Sequence, residues 1–328
     1  KWSTQVMIKK LRRTKIEPKP VPVPEPVVQK QRLSVVTGGA GFIGSNLVDM
    51  LLERGDRVVV IDNESANTHD EVYWNPNAMN ISGDVTDFKL LKNACTDADC
   101  IYHLAADISI QYSIENPTKS YKNNVIGTLN VLEVARVLGI KKVVFSSTAA
   151  IYGSTSEPCV ETDRPDPLNP YSVSKLAGEN LMKMYNDLYG IETVSLRYFN
   201  VYGNRQAHKG QYAPVIGIFQ KQKNEGKPLT IVGDGEQSRD FVHVADVAGA
   251  NIFVSERNTV GVFNVGTGVE YSVNQIATLI NNHQYGRTTI PAREGEARRS
   301  ISDSSKLRSI GWQPRISLEA WIAKQWQK

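Results

Sequence analysis

The stretch Leu33-Ser-Val-Val-Thr-Gly-Gly-Ala-Gly-Phe-Ile-Gly44 decides the fold of this chain. Its apolar start predicts a short buried strand, and Gly38, Gly41 and Gly44 follow that strand directly. From Ser45 to Arg54 apolar residues recur at helical spacing, which predicts a helix. Glycines at such a turn let the backbone approach a pyrophosphate, whose charge the amino end of the helix stabilises. The stretch therefore predicts a dinucleotide-binding turn.

A second predicted strand indicates which dinucleotide is bound. Gly55 ends the helix, Arg57 to Ile61 form the strand, and Asp62 at its end lies 24 residues after Gly38. A carboxylate at this place accepts hydrogen bonds from the adenosine ribose and repels a 2′-phosphate. The sequence therefore predicts NAD, rather than NADP, as the cofactor.

Strand and helix patterns alternate up to Gly203. Strands are predicted at 78–82, 100–104, 141–145 and 193–198, and helices at 117–138, 171–188 and after a cap at Thr86 or Asp87. This alternation specifies an α/β fold with a doubly wound parallel sheet. We expect an NAD-binding Rossmann domain over residues 33–203, with later contributions from about 239–266.

The pattern is less regular after Gly203. Helices are predicted at 212–223 and 273–281, and short strands at 229–232, 239–242 and 261–265. We assign residues 204–328 mainly to a smaller, mixed substrate-binding domain. A chain of 328 residues is long enough for both domains.

Charge and composition exclude several classes of protein. Residues 1–32 hold nine Lys or Arg and two Glu, a balance of +7, so the remainder of this chain of net charge +4 carries −3. The folded body therefore gives no reason to expect nucleic acid as a partner. No apolar run is long enough to form an integral membrane segment. The three cysteines, Cys95, Cys100 and Cys159, lack metal-ligand spacing, so we expect no metal site and a cytoplasmic location.

The basic segment continues into a proline-rich one. Prolines at 18, 20, 22, 24 and 26 favour an extended linker. Residues 1–32 are thus an N-terminal extension. Two interpretations stay open, a tethered arm for a partner or an anionic surface, and a disordered extension.

A tyrosine and a lysine are candidates for the chemistry. Tyr171 and Lys175 lie one turn apart on a predicted helix and share a face. Of the 13 tyrosines, Tyr171 alone has a lysine four residues on. The pKa of a phenol is near 10, and it must fall by about 3 units for the group to work near neutral pH. This corresponds to roughly 4 kcal/mol of phenolate stabilisation. A nearby ammonium and an oxidised nicotinamide ring are suitable sources.

These motifs together resemble the extended short-chain dehydrogenase/reductase family. The resemblance covers about residues 33–320 and includes Gly83-Asp84, His103-Leu104-Ala105-Ala106, Asn123-Asn124-Val125 and Tyr171-Ser-Val-Ser-Lys175. Three later motifs resemble nucleotide-sugar 4-epimerases of the UDP-glucose 4-epimerase type within it. They are Arg197-Tyr198-Phe199-Asn200, Gly233-Asp234-Gly235 with Arg239-Asp240, and Arg293-Glu294-Gly295-Glu296.

The resemblance implies roles for the matching residues. Tyr171 would be the acid or base at the sugar 4-hydroxyl, Thr148 would hydrogen-bond that oxygen, and Lys175 would hold the nicotinamide ribose. The substrate would contact Thr148, Asn200, Arg239, Arg293 and Ser300, the two arginines binding the diphosphate. The cofactor would contact Gly38, Gly41, Phe42, Ile43, Gly44, Asp62, Asn63, Asp84, Val85, Leu104, Ala105, Ala106, Asn123, Tyr171, Lys175 and Phe199.

The resemblance also separates reactions within the family. Related 4,6-dehydratases carry an Asp-Glu pair after the catalytic threonine, and glucuronate decarboxylases a Glu two residues after it. In this chain those positions are Ala149 and Ala150, which transfer no proton. The resemblance therefore implies C4 epimerisation of a UDP-sugar through a transient 4-keto intermediate. UDP-glucose and UDP-galactose are the expected pair.

Substrate range and assembly complete the expectations. Ser300 matches the position where a small residue admits an N-acetyl group, which extends the expected substrates to UDP-GlcNAc and UDP-GalNAc. The predicted helices 117–138 and 171–188 resemble the family's dimer interface, which implies a homodimer. Two rival classes stay open, a non-catalytic NAD-binding relative and an enzyme of different C4 chemistry, such as a uronate epimerase or a sugar reductase.

Overall fold

A computed structural model of the protein describes residues 31–66, 72–207, 214–281, 286–292 and 297–326. Residues 31–328 form one compact unit. The predicted N-terminal extension lies outside the described residues except for Gln31 and Arg32. Gln31 donates a hydrogen bond to the Gly55 carbonyl (2.6 Å) and Arg32 to the Ser255 carbonyl (3.1 Å). These contacts anchor the start of the described chain beside β1, the strand Leu33–Thr37.

Strands and helices alternate along most of the described chain. The strands are β1 Leu33–Thr37, β2 Arg57–Asp62, β3 Met79–Ser82, β4 Cys100–His103, β5 Lys142–Thr148, β6 Glu192–Tyr198, β7 Asn200–Tyr202, β8 Leu229–Val232, β9 Ser238–His243, β10 Gly261–Val265, β11 Glu270–Ser272, β12 Arg287–Ile290 and β13 Arg299–Ser300. The α-helices are α1 Phe42–Glu53, α2 Phe88–Ala94, α3 Ile110–Glu115, α4 Pro117–Tyr121, α5 Gly127–Leu138, α6 Pro170–Tyr189, α7 Val215–Asn224, α8 Val244–Ser255, α9 Val273–Asn281, α10 Ser305–Ser309 and α11 Leu318–Trp326.

Seven strands form the main sheet, in the order β10-β6-β5-β4-β1-β2-β3. Every neighbouring pair in it is parallel. Successive side chains of a strand point to opposite faces, so Val35 and Val36 enter two different cores. The core that contains Val36 lies under α1 and α8, and the core that contains Val35 lies under α2, α5 and α6. The predicted doubly wound α/β fold is confirmed.

A smaller mixed sheet is formed mainly by the second half of the chain. Its central strand β9 pairs with β11, β13 and β7, of which only β11 is antiparallel. Strands β8 and β12 form a separate parallel pair, and α7, α9 and α11 pack around Ile216, Phe219 and Ile276. The mixed second region is therefore present, while the domain boundary near residue 203 stays a prediction.

The described elements differ from the sequence-based expectations in several places. The predicted helix 117–138 contains a π-helical turn at Lys122–Ile126 between α4 and α5. The helix predicted at 212–223 is observed as α7, and residues 212 and 213 lie outside the described ranges. Some described elements have no counterpart among the predicted ones: α3, α8, α10, α11, β7, β11, β12 and β13. Within the described ranges, no helix is both long and apolar enough to cross a bilayer.

Candidate active site

The glycine-rich turn between β1 and α1 is closely packed on one side and open on the other. A Cβ added at Gly38, whose φ is +70°, would lie 2.7 Å from the amide nitrogen of Ala105. A Cβ at Gly44 would lie 2.0 Å from the Gly38 carbonyl oxygen, whereas one at Gly41 would meet nothing closer than 3.4 Å. Gly41 caps α1 without a side-chain hydrogen bond, and the first turn holds no acidic residue. This end of the helix is therefore suited to an anionic phosphate.

Carboxylates lie at the ends of the next two strands. Asp62 accepts hydrogen bonds from the amides of Ala40 (3.1 Å) and Glu64 (2.8 Å), one on each carboxylate oxygen. Burial raises its pKa, and these hydrogen bonds oppose that shift. Asp84 accepts a 2.7 Å hydrogen bond from Asn63. Each oxygen of Asp62 can accept a second hydrogen bond, so the carboxylate fits a ribose diol.

A cavity of about 300 Å³ brings these residues together. This cavity fits a dinucleotide. The backbone at Gly41 leaves room for the phosphates, and the two carboxylate oxygens of Asp62 can accept hydrogen bonds from a ribose. Thirteen of the predicted cofactor residues line this cavity: Gly38, Gly41, Phe42, Ile43, Gly44, Asp62, Asn63, Asp84, Val85, Leu104, Ala105, Ala106 and Asn123.

The π-helical turn places one of these residues. Asn123 donates to the Asp107 carboxylate (2.9 Å), and Asn124 contacts both the amide (2.8 Å) and the carbonyl (3.0 Å) of Asp107. Asn124 also donates to the Ser174 hydroxyl (2.9 Å) on α6. The turn therefore ties the loop after β4 to the helix that carries Tyr171. Asp107 was missed by the sequence analysis, although it directly follows the Ala105-Ala106 motif.

Tyr171 and Lys175 occupy the first two turns of α6. A box of reciprocal hydrogen bonds between Asn169 and Ser172 caps this helix, and Pro170 begins it. Lys175 donates to the Ser146 carbonyl at 2.8 Å and lies 4.8 Å from the centre of the Phe145 ring. Lys175 is buried and does not line the cavity of the predicted cofactor residues. Its hydrogen-bond partner Ser146 does line that cavity.

The pKa values of the pair are set mainly by burial. Burial raises the pKa of Tyr171 to about 12, opposed by a hydrogen bond with Thr148, and lowers the pKa of Lys175 to about 7. The chain alone therefore raises the pKa of Tyr171, whereas catalysis near neutral pH requires that pKa to be lowered. A phenolate at neutral pH requires added positive charge beside Tyr171, which a protonated Lys175 and an oxidised nicotinamide ring would supply.

A second cavity, of about 370 Å³, adjoins the first, because Ile108 and Pro214 line both. Apart from Lys175, the described residues predicted for catalysis and substrate binding lie on its wall, together with Phe199. Ala149 and Ala150 lie beside them. Those predicted residues are Thr148, Tyr171, Asn200, Arg239 and Ser300. The predicted contact Arg293 lies outside the described residues, as does its Arg-Glu-Gly-Glu motif.

Strand pairing sets the far wall of this cavity. Ser300 of β13 lies beside Arg239 of β9 in parallel register. The next residue, Asp240, is fully buried and accepts hydrogen bonds from Thr267 and Ser302. This carboxylate ties β9 to the segments that follow β10 and β13. The sequence singled out Asp240 only as part of the Arg239-Asp240 motif. Its partners could not be predicted from spacing, because they lie 27 and 62 positions further along the chain.

The sheet is doubly wound, a glycine turn follows its first strand, and an acid ends the second. Tyr171, one turn from the buried Lys175, lines an adjoining cavity. These features define an NAD-binding enzyme of the short-chain dehydrogenase/reductase class. The family described as the NAD dependent epimerase/dehydratase family matches residues 34–266. The chain belongs to this family, and its cofactor is NAD.

Individual relatives match nearly the whole chain. A UDP-glucose 4-epimerase of Mycolicibacterium smegmatis is 37% identical over 89% of this chain and 96% of its own length. The crystal structure of a Thermotoga maritima UDP-glucose 4-epimerase with UDP-glucose has a TM-score of 0.85, with 38% identity over 88% of this chain and 96% of that one. A UDP-N-acetylglucosamine 4-epimerase of Methanobrevibacter ruminantium, in complex with UDP-N-acetylmuramic acid, has a TM-score of 0.84, with 34% identity over 90% and 96%.

Proposed function

We propose that this protein catalyses NAD-dependent C4 epimerisation of a UDP-sugar. The observation that carries the proposal is the junction of the two cavities. Tyr171 and Thr148 line the second cavity, and Ser146, which holds Lys175, lines the first. A sugar carbon placed at the junction lies between an acid–base pair and a dinucleotide. The relatives' activity is consistent with this arrangement.

The chain's own residues have separable tasks in this reaction. Tyr171 takes the proton of the 4-hydroxyl and later returns it, while Thr148 hydrogen-bonds the same oxygen. Lys175 supports the phenolate by its charge and the nicotinamide ribose by its donors. Bound NAD supplies a reversible hydride acceptor for the sugar C4. Ala149 and Ala150 cannot remove a C5 proton, so the 4-keto sugar turns over and is reduced on its opposite face.

The charges in the substrate cavity favour a neutral hexose over a uronate. Among the described residues that line it, Arg239 is the only charged one, and its place fits the diphosphate. The sugar end near Thr148 is formed by small or apolar residues, among them Ala149, Ala150 and Leu168. A sugar carboxylate there would lose its hydration without a cation to replace it.

Ser300 supports a wider sugar range. Its short side chain lies on the cavity wall next to Arg239, and Ala297 lines the same cavity. We therefore propose that UDP-GlcNAc and UDP-GalNAc are accepted with UDP-glucose and UDP-galactose. Ser300→Tyr should suppress turnover of the acetylated sugars at least tenfold and spare the others, since a bulky ring takes the space of the acetyl group. Equal loss of both activities would reject this role.

The test of the function is direct. NMR follows UDP-glucose, UDP-GlcNAc and UDP-glucuronate in separate incubations with the protein, without added reductant. We expect interconversion of the first two with their C4 epimers. Accumulation of NADH with a keto or reduced sugar would instead identify a net oxidoreductase, and absence of any conversion a non-catalytic NAD-binding protein.

We also infer a homodimer through the face formed by α5 and α6. Leu188 and Tyr189 on α6 are 67% and 50% exposed, and Val137 on α5 is 46% exposed. Burying such apolar surface between two copies is favourable. Light scattering should report a dimer for the wild type and a monomer for Leu188→Glu. Met79→Glu, an exposed apolar position on the edge strand β3, is the control and should leave the dimer intact.

The location is inferred from the cysteines. All three are free and buried, which suits a reducing compartment. We propose the cytoplasm, and cell fractionation with an antibody against the chain tests it.

A further inference from the structure

Helix α6 presents a third polar side chain on the face of Tyr171 and Lys175. Glu179 follows Lys175 by four residues, so the three side chains lie on successive turns of one face. We propose that Glu179, held by Arg197 and Ser147, is a positioning residue that sets Tyr171 against Thr148 during proton transfer. The proposal rests on the function proposed above, because it concerns the same proton.

The three turns of α6 contact three consecutive residues at the end of β5. Tyr171 lies beside Thr148 on the wall of the second cavity, Lys175 donates to the Ser146 carbonyl (2.8 Å), and the Ser147 hydroxyl donates to Glu179 at 2.6 Å. One such contact would let the helix slide or turn relative to the strand. Three contacts on adjacent residues fix both its position along the strand and its rotation.

Glu179 is also bound to the neighbouring strand. Arg197 of β6, the register partner of Ser147, forms two parallel hydrogen bonds with the Glu179 carboxylate, of 2.9 and 2.7 Å. The side chains of Glu179 and Arg197 are only 5% and 4% exposed. Any other orientation would leave a buried charge unpaired, so the helix is confined to one register.

The same arginine reaches the wall of the substrate cavity. Its guanidinium lies 4.6 Å from the centre of the Tyr152 ring, and that ring stacks on Phe199, which lines the cavity. Glu179, Arg197 and Ser147 line neither cavity themselves. Glu179 therefore acts through Tyr171 and through the wall, and not by contact with the sugar or the cofactor.

The experiment compares two variants with a matched control. Ser147→Ala removes the bond from β5 and keeps the buried ion pair, and Glu179→Gln removes the charge. The control Glu192→Gln acts on the same two strands at their other end, where Glu192 pairs with the buried Lys142 at 3.1 Å. We expect kcat for UDP-glucose to fall about tenfold in Ser147→Ala and about a hundredfold in Glu179→Gln, with KM within twofold. Glu192→Gln should keep the wild-type kcat.

Hydrogen exchange gives a readout that does not depend on turnover. The backbone amides of residues 171–176 should exchange at least threefold faster in Ser147→Ala than in the wild type. In Glu192→Gln their exchange rates should be unchanged. Wild-type kcat in Ser147→Ala, or a loss shared equally with Glu192→Gln, overturns the proposal. An inactive wild type would overturn the proposed function instead. In that case the hydrogen exchange of Ser147→Ala still tests the positioning role: unchanged exchange rejects it, and faster exchange supports it. This readout holds even if Glu179→Gln does not fold.

Discussion

Replacing Tyr171 by phenylalanine removes one hydroxyl at the centre of the proposed chemistry. In the folded chain the pKa of Tyr171 is raised to about 12 by burial, opposed by the Thr148 hydrogen bond. An ordinary phenol titrates near 10, so burial costs the phenolate about 3 kcal/mol at 1.36 kcal/mol for each unit. A working pKa near 7 needs about 5 units more, or about 7 kcal/mol of stabilisation from nearby cations.

The expected result separates chemistry from stability. Loss of a positioned acid or base lowers turnover by about two to four powers of ten. Folding should suffer little, because Thr148 still accepts from the Ala150 amide (3.1 Å) and the Tyr171 amide still donates to Ser113 (3.1 Å). One lost hydrogen bond costs about 1 kcal/mol, a few degrees in Tm.

The assay is interconversion of UDP-glucose and UDP-galactose, followed by NMR, with Tm measured on the same samples. Tyr189→Phe, which removes a hydroxyl from the exposed end of the same helix, is the control and should keep wild-type turnover. Bound NAD should be retained in both variants. Turnover of Tyr171→Phe within threefold of the wild type would remove Tyr171 from its role as acid and base.

Two further predictions concern the cofactor turn and acid stability. Gly44→Ala should lose co-purifying NAD, measured by absorbance after denaturation, because its Cβ would lie 2.0 Å from the Gly38 carbonyl oxygen. Gly249→Ala, whose Cβ would meet no atom within 4 Å, should retain NAD, and equal NAD content in both variants would contradict the assignment. Burial and the Lys175 charge lower the pKa of His103 from 6.5 to about 3, so the unfolded chain binds this proton first. The free energy of unfolding should therefore drop as pH falls below 6.5, by about 3 kcal/mol at pH 4.5 from His103 alone. Urea unfolding should show this drop in the wild type, and an equal drop in His103→Asn would assign it to other groups.

The residues that the sequence predicted for the cofactor come together in the fold for a physical reason. In a parallel sheet the carboxyl ends of the strands meet at one edge, so residues just after each predicted strand must converge there. Gly38, Asp62, Asp84 and Leu104 lie at or just after strand ends, and all line one cavity. Local sequence patterns were sufficient to bring these residues together, because each predicted strand ends at this edge of the sheet.

What the sequence missed has no local pattern. Helix α8 is buried between α1 and the sheet, so Val244, Val247 and Ala248 leave no polar stripe to reveal its period. The π-helical turn at Lys122–Ile126 has one extra residue that a period of 3.6 does not register. The buried pair of Glu179 and Arg197 joins residues 18 positions apart on a helix and a strand, and only the fold brings them together.

The proposed mechanism returns the hydride to the carbon that it left. UDP-glucose deuterated at C4, incubated with the protein without added reductant, tests this return. We predict UDP-galactose that keeps its deuterium at C4, since the hydride removed from C4 would return to the same carbon after the 4-keto sugar has turned over. Product with protium from solvent at C4, or product accompanied by stoichiometric NADH, would contradict the proposed mechanism.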